Sequence, residues 1–374
     1  MPTGTVGANL VTHTITSTNS RDPGGARRMS PSQTYRFFGN ATEHQPLREL
    51  LPLSTPLSIH IDPTNVCNLR CQFCPTGHPS LLAKHGRRTT QMRLPLFRKI
   101  IDDLGQFPDR LIRIHLYKDG EPLLNPELTE MVAYATGQNV AQFVETTTNG
   151  TRLSAEWGHA LAEAGLSRIR ISIQHVTDEG YLRVALRSVS YLELVQRVSE
   201  FYAAISAHVR RPRVHVKLLD TGLGEDEKQR FLDDFAGLAD ELHIDNLMGW
   251  NHPELFDFTL ERAPTTGMDP SNPLRPEREI CPQPFFTLAV NSNGLVSACC
   301  VDWAHETIIG DATTESIRDI WEGDRLRELR LLHLQHKRVE HAACGSCQYV
   351  KGLPSVSDLD NDADRLSRLY GRTR

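Results

Sequence analysis

Three cysteines sit in Cys67-Asn68-Leu69-Arg70-Cys71-Gln72-Phe73-Cys74, spaced C-x3-C-x2-C, directly after an apolar, strand-like run. Three thiolates this close can hold three irons of a [4Fe–4S] cube and leave the fourth iron open to another molecule. Structural zinc is the alternative, but its cysteines usually read C-x2-C and come in paired pairs. A disulfide framework would want a secretory signal and a short chain, and neither is present. Further on, Cys281, Cys299, Cys344 and Cys347 are spaced C-x17-C-x44-C-x2-C. Four thiolates can close every ligand position of a zinc ion or of a second [4Fe–4S] cluster, and spacing alone leaves both open. Eight cysteines less seven leaves Cys300 over, or Cys299 if Cys300 is the ligand. A spare cysteine is usually a small buried hydrophobe. Neighbours on a strand face opposite ways, so Cys300 should point away from the cluster its neighbour ligates.

These groups need a frame. Strand-like stretches fall at Leu57–Asp62, Leu111–Tyr117, Ala141–Thr147, Arg168–Gln174, Arg213–Leu219 and Glu241–Asp245, with helical stretches between them. Those helices lie near Leu94–Leu104, Pro126–Thr136, Ser154–Ala164, Tyr191–Ala207 and Glu225–Leu238. Six strands alternating with helices imply a parallel α/β sheet. Parallel strands covered on both faces normally read as unbroken apolar runs, yet most of these alternate. Ile112, Ile114 and Leu116 interleave with Arg113, His115 and Tyr117; Val214, Val216 and Leu218 interleave with Arg213, His215 and Lys217. One face therefore packs under helices while the other is polar, as in a curled, incomplete barrel with a ligand-filled lumen. His115, His175, His215 and Lys217 are lumen groups able to orient or deprotonate a hydroxyl.

Residues 1–50 show no periodicity and read as a flexible tail; 51–250 form the barrel, and the Pro-rich stretch 251–280 reads as a linker. Residues 281–374 form a second module ending in a charged tail with little apolar content. In that module Asn293-Gly294 signals a hairpin between Phe285–Val290 and Leu295–Cys299, and a helix follows near Ser316–Leu332. Lys plus Arg is 41 against 46 Asp plus Glu, a net charge of −5, without the clustered basic face nucleic acid would want. A hydrophobic content of 39% and the lack of a membrane-length apolar run point to no membrane partner. Cysteines gathered in two clusters, behind a start without a signal peptide, indicate metal in a reducing, cytoplasmic compartment.

The C-x3-C-x2-C spacing, with Phe73 just before the last cysteine, resembles the radical S-adenosylmethionine (SAM) superfamily. The resemblance covers roughly residues 55–250 and implies a partial (β/α)6 barrel. It also implies SAM chelated at the open iron, cleaved to a 5′-deoxyadenosyl radical, and a flavodoxin- or ferredoxin-type electron donor. Gly120-Glu121-Pro122 looks like the family segment that binds the methionine amino group, although Asp119 stands where the first glycine would be. Asn149, Ser172 and Gln174 resemble family positions contacting ribose and carboxylate. Behind such a core, Cys281, Cys299, Cys344 and Cys347 resemble the ligands of a twitch module, smaller than the two-cluster SPASM module, holding one auxiliary [4Fe–4S] cluster. The set as a whole is similar to dehydrogenases and epimerases of aminoglycoside pathways. That implies oxidation of a sugar or aminocyclitol carbinol to a ketone, with the electron passed to the auxiliary cluster. The alternatives are epimerisation with Cys300 as hydrogen donor, modification of a ribosomally made peptide, and a zinc-stabilised interaction protein. Lys217 and His215 are the candidate proton-handling groups for either sugar chemistry.

Overall fold

The computed structural model describes residues 45–372. A short helix α1 (Leu47–Leu50) leads into β1 (Ser58–Ile61), and the cysteine loop follows, with α2 (Pro79–Lys84) at its far end. Then come α3 (Leu94–Leu104), β2 (Leu111–His115), α4 (Leu128–Gln138), β3 (Ala141–Thr148), α5 (Ala155–Glu163) and β4 (Arg168–Ile173). The alternation continues with α6 (Asp178–Val184), α7 (Tyr191–Ser206), β5 (Arg213–Asp220), α8 (Glu225–Phe235) and β6 (Glu241–Asn246). Local chemistry starts several of these helices. The Ser154, Thr177 and Ser190 side chains accept the N–H groups of Trp157, Gly180 and Glu193, capping α5, α6 and α7. In α3, Phe97, Ile100, Ile101 and Leu104 fall on one buried face.

β1 to β6 pair in sequence order and all in parallel. This is the expected α/β partial barrel. Its alternating strands resolve as the pattern requires: Ile59, Ile61, Ile114, Leu116, Ile169, Ile171, Ile173, Val214, Val216 and Leu218 are all fully buried under the helices. Each contributes about 1.5–3 kcal/mol relative to exposure. His60, His115, Glu145, Arg170 and His215 take the opposite, lumen face, because side chains two apart point the same way.

The second module is not a separate sheet. After the irregular stretch 251–280 and the short α9 (Gln283–Phe286), β7 (Thr287–Val290) pairs in parallel with β1, Ser58 opposite Thr287 and Ile61 opposite Val290. β8 (Leu295–Ser297) returns through the expected Asn293-Gly294 turn, with Gly294 at φ +92°, and β9 (Ile308–Asp311) adds an unexpected third strand. One nine-stranded sheet results, in the order β6-β5-β4-β3-β2-β1-β7-β8-β9. The helix expected at Ser316–Leu332 is two, α10 (Ile317–Glu322) and α11 (Asp324–Leu334), broken at Gly323. α12 (Ala342–Gly345) and α13 (Ala363–Tyr370) complete the chain.

Both expected tails need correction. The flexible lead-in lies mostly outside the described residues, but its last residues form α1, where Leu47 is fully buried. After Asp358, Leu359, Ala363 and Leu366 are buried in one apolar cluster with Leu47, Leu51, Ile280, Phe285 and Leu334. The charges of α13 lie on its outer face, so low average hydropathy hid an amphipathic helix. Among the described residues no helix is long and apolar enough to cross a membrane.

Candidate functional site

The loop carrying Cys67, Cys71 and Cys74 follows the C-terminal end of β1, where barrels of this kind keep their active sites. Neighbouring elements hold it. Arg70 and Gln72 donate their N–H groups to Ala185 and Val184 at the end of α6, both at 2.9 Å. Trp250 Nε1 donates to the Phe73 carbonyl at 3.2 Å, and Phe73 packs against the main core. Burial pushes Cys67 up to about 12, with Cys74 and Glu121 adding to it; Cys71 rises through burial and through Cys74 and Cys67. Burial also raises Cys74. Three thiols that feel one another in this way suit one shared acceptor, whose binding would displace their protons.

The Gly120-Glu121-Pro122 segment docks directly on this loop. The Glu121 N–H donates to Val66 O at 2.8 Å, and a Cβ on Gly120 would stand 2.1 Å from Thr64 O and 2.5 Å from Val66 O. Only glycine fits there. Glu121 is buried; its Oε2 accepts the Asn149 N–H at 2.7 Å, and its Oε1 accepts the Thr148 hydroxyl at 2.6 Å. Asn149 Nδ2 reaches Cys67 Sγ at 3.8 Å and donates to Asn68 Oδ1 at 2.9 Å, while Asn68 Nδ2 donates to Thr151 at 2.7 Å. The structure thus brings Glu121 and Asn149 to the cysteines. Ser172 and the buried Gln174 sit at the C-terminal end of β4, with Gln174 Nε2 donating to Ser172 O at 3.1 Å.

Cys281, Cys299, Cys344 and Cys347 line a single cavity, together with Asn251 and His333. Cys300 is not among its lining residues. Burial and mutual repulsion raise Cys281 to about 12 and push Cys344 well up. Backbone contacts set the positions. The Cys281 N–H donates to His333 Nδ1 at 3.3 Å, and the Cys347 N–H to Cys344 O at 3.3 Å. Arg338 donates to Glu279 O at 2.9 Å and also to Cys344 O. The buried Arg278 pins the following segment through Leu353 O at 2.8 Å and Pro354 O at 3.1 Å. Among the described residues no three His, Cys, Asp or Glu side chains converge as on a single metal ion. Four thiols lining one cavity supply a complete ligand set for a cluster.

Between the two cysteine sites lies a buried polar set that sequence reading did not assemble. Asp119 Oδ2 accepts from Arg87 Nη2 at 2.6 Å, its two oxygens lie 3.0 Å from Lys118 Nζ, and His305 Nε2 is 3.9 Å away. Burial would raise Asp119, but Lys118 and Arg87 outweigh it and hold the group at about 2. Its backbone carbonyl accepts the Thr76 hydroxyl at 2.5 Å, two residues after Cys74. Asp62, on the lumen face beyond β1, accepts the Asp119 N–H on Oδ1 at 3.3 Å; its Oδ2 has no partner. Burial and the Asp119 charge raise Asp62 to about 7. Lys118, whose side chain is fully buried, also reaches Asp302 O at 3.3 Å.

Cys300 faces this set from the other side. It is held well below the usual thiol value, first by a hydrogen bond from the Cys299 thiol and then by His60 and Lys118. A metal bound at Cys299 would remove that thiol proton and leave His60 and Lys118 as the groups acting on Cys300. His60 stacks on His115 with ring centroids 4.3 Å apart, and its Nδ1 is unpartnered.

Of the other lumen candidates, three are engaged elsewhere. Lys217 Nζ is ion-paired with Asp245 at 2.8 Å. His215, near the start of β5, packs edge-on to His243 with neither ring nitrogen partnered, and is driven down to about 2 by burial and by Arg170. His115 Nδ1 donates to Glu145 Oε1 at 2.7 Å, and His175 lies 2.9 Å from Arg183 Nη2 against α6. Alternation along Leu57–Asp62 already puts Asp62 on the lumen face, but Lys118 and Arg87 carried no local signal: each reads as an ordinary polar residue until the loops after β1, β2 and β8 converge.

Residues 61–228 match the Radical SAM superfamily, and residues 281–348 match SPASM, an iron–sulfur cluster-binding domain. The mycofactocin maturase MftC of Mycobacterium ulcerans is 29% identical over 189 residues, 50% of this chain and 45% of that protein. The chain spans less than half the length of the first curated relatives it matches. Streptococcus suis SuiB bound to precursor peptide SuiA superposes with a TM-score of 0.57 at 14% identity, over 84% of this chain and 74% of that one. BtrN in complex with AdoMet and 2-DOIA superposes with a TM-score of 0.48 at 17% identity, over 78% of this chain and 92% of that one.

Proposed function

Because the chain is a radical SAM enzyme carrying a SPASM iron–sulfur domain, we propose that it oxidises a carbinol carbon of a sugar or aminocyclitol to a ketone. SAM and a [4Fe–4S] cluster belong to the first domain, and auxiliary iron–sulfur binding belongs to the second. With seven cysteines divided three and four, the second domain has ligands for one auxiliary cluster, as in a twitch module. Together these cofactors supply a radical able to take hydrogen from carbon and a sink for one electron.

The observation that carries this reading is the buried polar set between Cys74 and Cys300, which suits a small, hydroxyl-bearing substrate. Cys67, Cys71 and Cys74 hold the first cluster. Phe73, Gly120, Glu121, Pro122, Asn149, Ser172 and Gln174 surround SAM. Lys118, Arg87 and Asp119 hold polar substituents, and His60 Nδ1 offers a further contact. Asp62, unpartnered at Oδ2 and raised toward neutrality, takes the hydroxyl proton. With the cofactors bound, the SAM-derived radical would take the carbinol hydrogen atom, Asp62 would take the hydroxyl proton, and a cluster held by Cys281, Cys299, Cys344 and Cys347 would accept the remaining electron. Lys217 and His215 then shape the lumen. Reducing equivalents come from a flavodoxin- or ferredoxin-type donor in the cytoplasm.

Two other readings have specific support. The place of Cys300 beside His60 also suits return of hydrogen by a thiol, which is epimerisation. The maturase relative and the peptide-bound fold neighbour favour a peptide substrate. Anaerobic incubation with SAM, reductant and a panel of aminocyclitols and sugars, read by mass, tests the proposal. A product lighter by two hydrogens supports it. Unchanged mass with solvent deuterium uptake assigns epimerisation instead, and turnover of a peptide alone overturns the small-molecule assignment.

A further inference from the structure

The four-cysteine cavity contains two buried polar side chains that substrate oxidation does not use. His333, on α11, is 0% exposed, and its Nδ1 accepts the Cys281 N–H at 3.3 Å. A neutral imidazole that accepts at Nδ1 carries its proton on Nε2. That Nε2–H has no protein partner, and His333 is one of the residues lining the cavity. Asn251, 1% exposed, lines the same cavity with neither Nδ2 nor Oδ1 partnered. Its position is fixed from behind, because Trp303 Nε1 donates to its backbone carbonyl at 3.1 Å. Two buried N–H donors left unsatisfied in one cavity are unusual in a native protein and point to an acceptor that fills it.

We propose that His333 and Asn251 donate N–H···S hydrogen bonds to the auxiliary iron–sulfur cluster and raise its reduction potential. The proposal rests on the four cysteines holding a cluster. His333 is a donor rather than a fifth ligand, because its Nε2 carries the proton while Cys281 N–H occupies the other nitrogen. Arg338 is not a third donor of the same kind through Nε or Nη1, since those atoms serve Glu279 O and Cys344 O. Reduction places added negative charge on the cluster and its sulfurs, so donors aimed at them stabilise the reduced state more than the oxidised one. Both donors are buried, where that preference is stronger than it would be at the surface. A cluster poised higher is a better acceptor for the electron left on an oxidised substrate, so the two residues would act as positioning groups for electron transfer.

The test is an EPR-monitored redox titration of the full, anaerobically loaded chain, comparing wild type with His333→Phe, Asn251→Leu and His333→Gln. His333→Phe and Asn251→Leu are each expected to lower the reduction equilibrium constant of the auxiliary cluster about threefold to tenfold, tenfold being 59 mV for one electron. The first cluster should keep its potential and its response to SAM, and His333→Gln, which retains a donor, should lie closer to wild type. In D2O, pulsed EPR should show exchangeable deuterons coupled to the reduced auxiliary cluster, fewer in each apolar variant. Fully loaded variants with unchanged potential and unchanged deuteron coupling would overturn the proposal. Should His333→Phe lose iron because Cys281 N–H loses its acceptor, Asn251→Leu leaves that bond intact and decides alone. Wild-type protein without auxiliary iron would instead overturn the cluster assignment beneath it, an outcome the iron assay separates from the other.

Discussion

Replacing Gly120 by Ala tests whether the Gly-Glu-Pro turn positions the first cysteine site. The added Cβ would lie 2.1 Å from Thr64 O, 2.5 Å from Val66 O and 2.8 Å from Val66 N, all of them backbone atoms. Relief to an ordinary contact needs a relative shift of roughly 1 Å between the loops after β1 and β2, at a cost of about 1–3 kcal/mol. Both loops resist it. Val66 O already accepts the Glu121 N–H at 2.8 Å, and Glu121 in turn holds the Asn149 N–H at 2.7 Å. Moving Glu121 therefore drags Asn149 away from Cys67, which it approaches at 3.8 Å. The four-cysteine cavity has no lining residue from this turn and should be unaffected. Iron per chain after anaerobic reconstitution, together with 5′-deoxyadenosine formation, reads the effect. Expected is loss of about half the iron, with SAM cleavage lost and the auxiliary signal intact. A folded Gly120→Ala protein with full iron and wild-type SAM cleavage would refute the linkage.

Cys300→Ala should keep both clusters and the ketone yield, apart from about 1 kcal/mol of packing; normal SAM cleavage without native product would instead make Cys300 a hydrogen donor. Asp62→Asn should lower turnover by about 10²–10⁴-fold. In the wild type, turnover should rise as pH passes through about 7, because the base works ionised, and that limb should vanish in the variant; a limb left in place assigns the proton elsewhere. Glu145→Gln strands Arg113 at 3.0 Å and Arg170 at 3.3 Å, so it should destabilise the fold by about 3–5 kcal/mol at neutral pH. Burial opposes ionisation of Glu145, yet Arg170, His115 and Arg113 hold it well below the usual carboxylate range. Its stabilisation is therefore present above the unfolded value near 4.3 and lost as pH falls through the lower folded one. Melting curves of the two proteins should converge in acid, and a gap independent of pH would contradict this.

What could be read in advance depended on whether a feature was local. The six barrel strands announced themselves through alternation, since Ile169-Arg170-Ile171 sorts its own side chains onto two faces. Cys67, Cys71 and Cys74 were legible because their spacing is itself the geometry. The pairing of β7 with β1 was not, because Ser58 meets Thr287 across most of the chain and neither strand advertises a partner. The break at Gly323 and the buried face of α13 were likewise hidden, the first in a continuous helical pattern and the second beneath charge. The polar set failed for the same reason. Asp62 and Lys118 become a site only where three loops meet, whereas Lys217 lies on the expected lumen face ion-paired with Asp245, and His215 lies there against the His243 ring with neither nitrogen partnered. Cysteine counting left Cys299 and Cys300 interchangeable; the cavity distinguishes them, because it includes the first and not the second.

The most direct measurement is iron, sulfide and EPR on anaerobically reconstituted wild-type protein beside the variant with Cys67, Cys71 and Cys74 all replaced by Ala. Expected are about eight irons per chain in the wild type, with SAM perturbing one of two cluster signals. The variant should hold about half that iron, keep the signal SAM leaves unchanged, and make no 5′-deoxyadenosine. Zinc with little iron in the wild type, or 5′-deoxyadenosine still formed by the triple variant, would contradict the assignment of these cysteines.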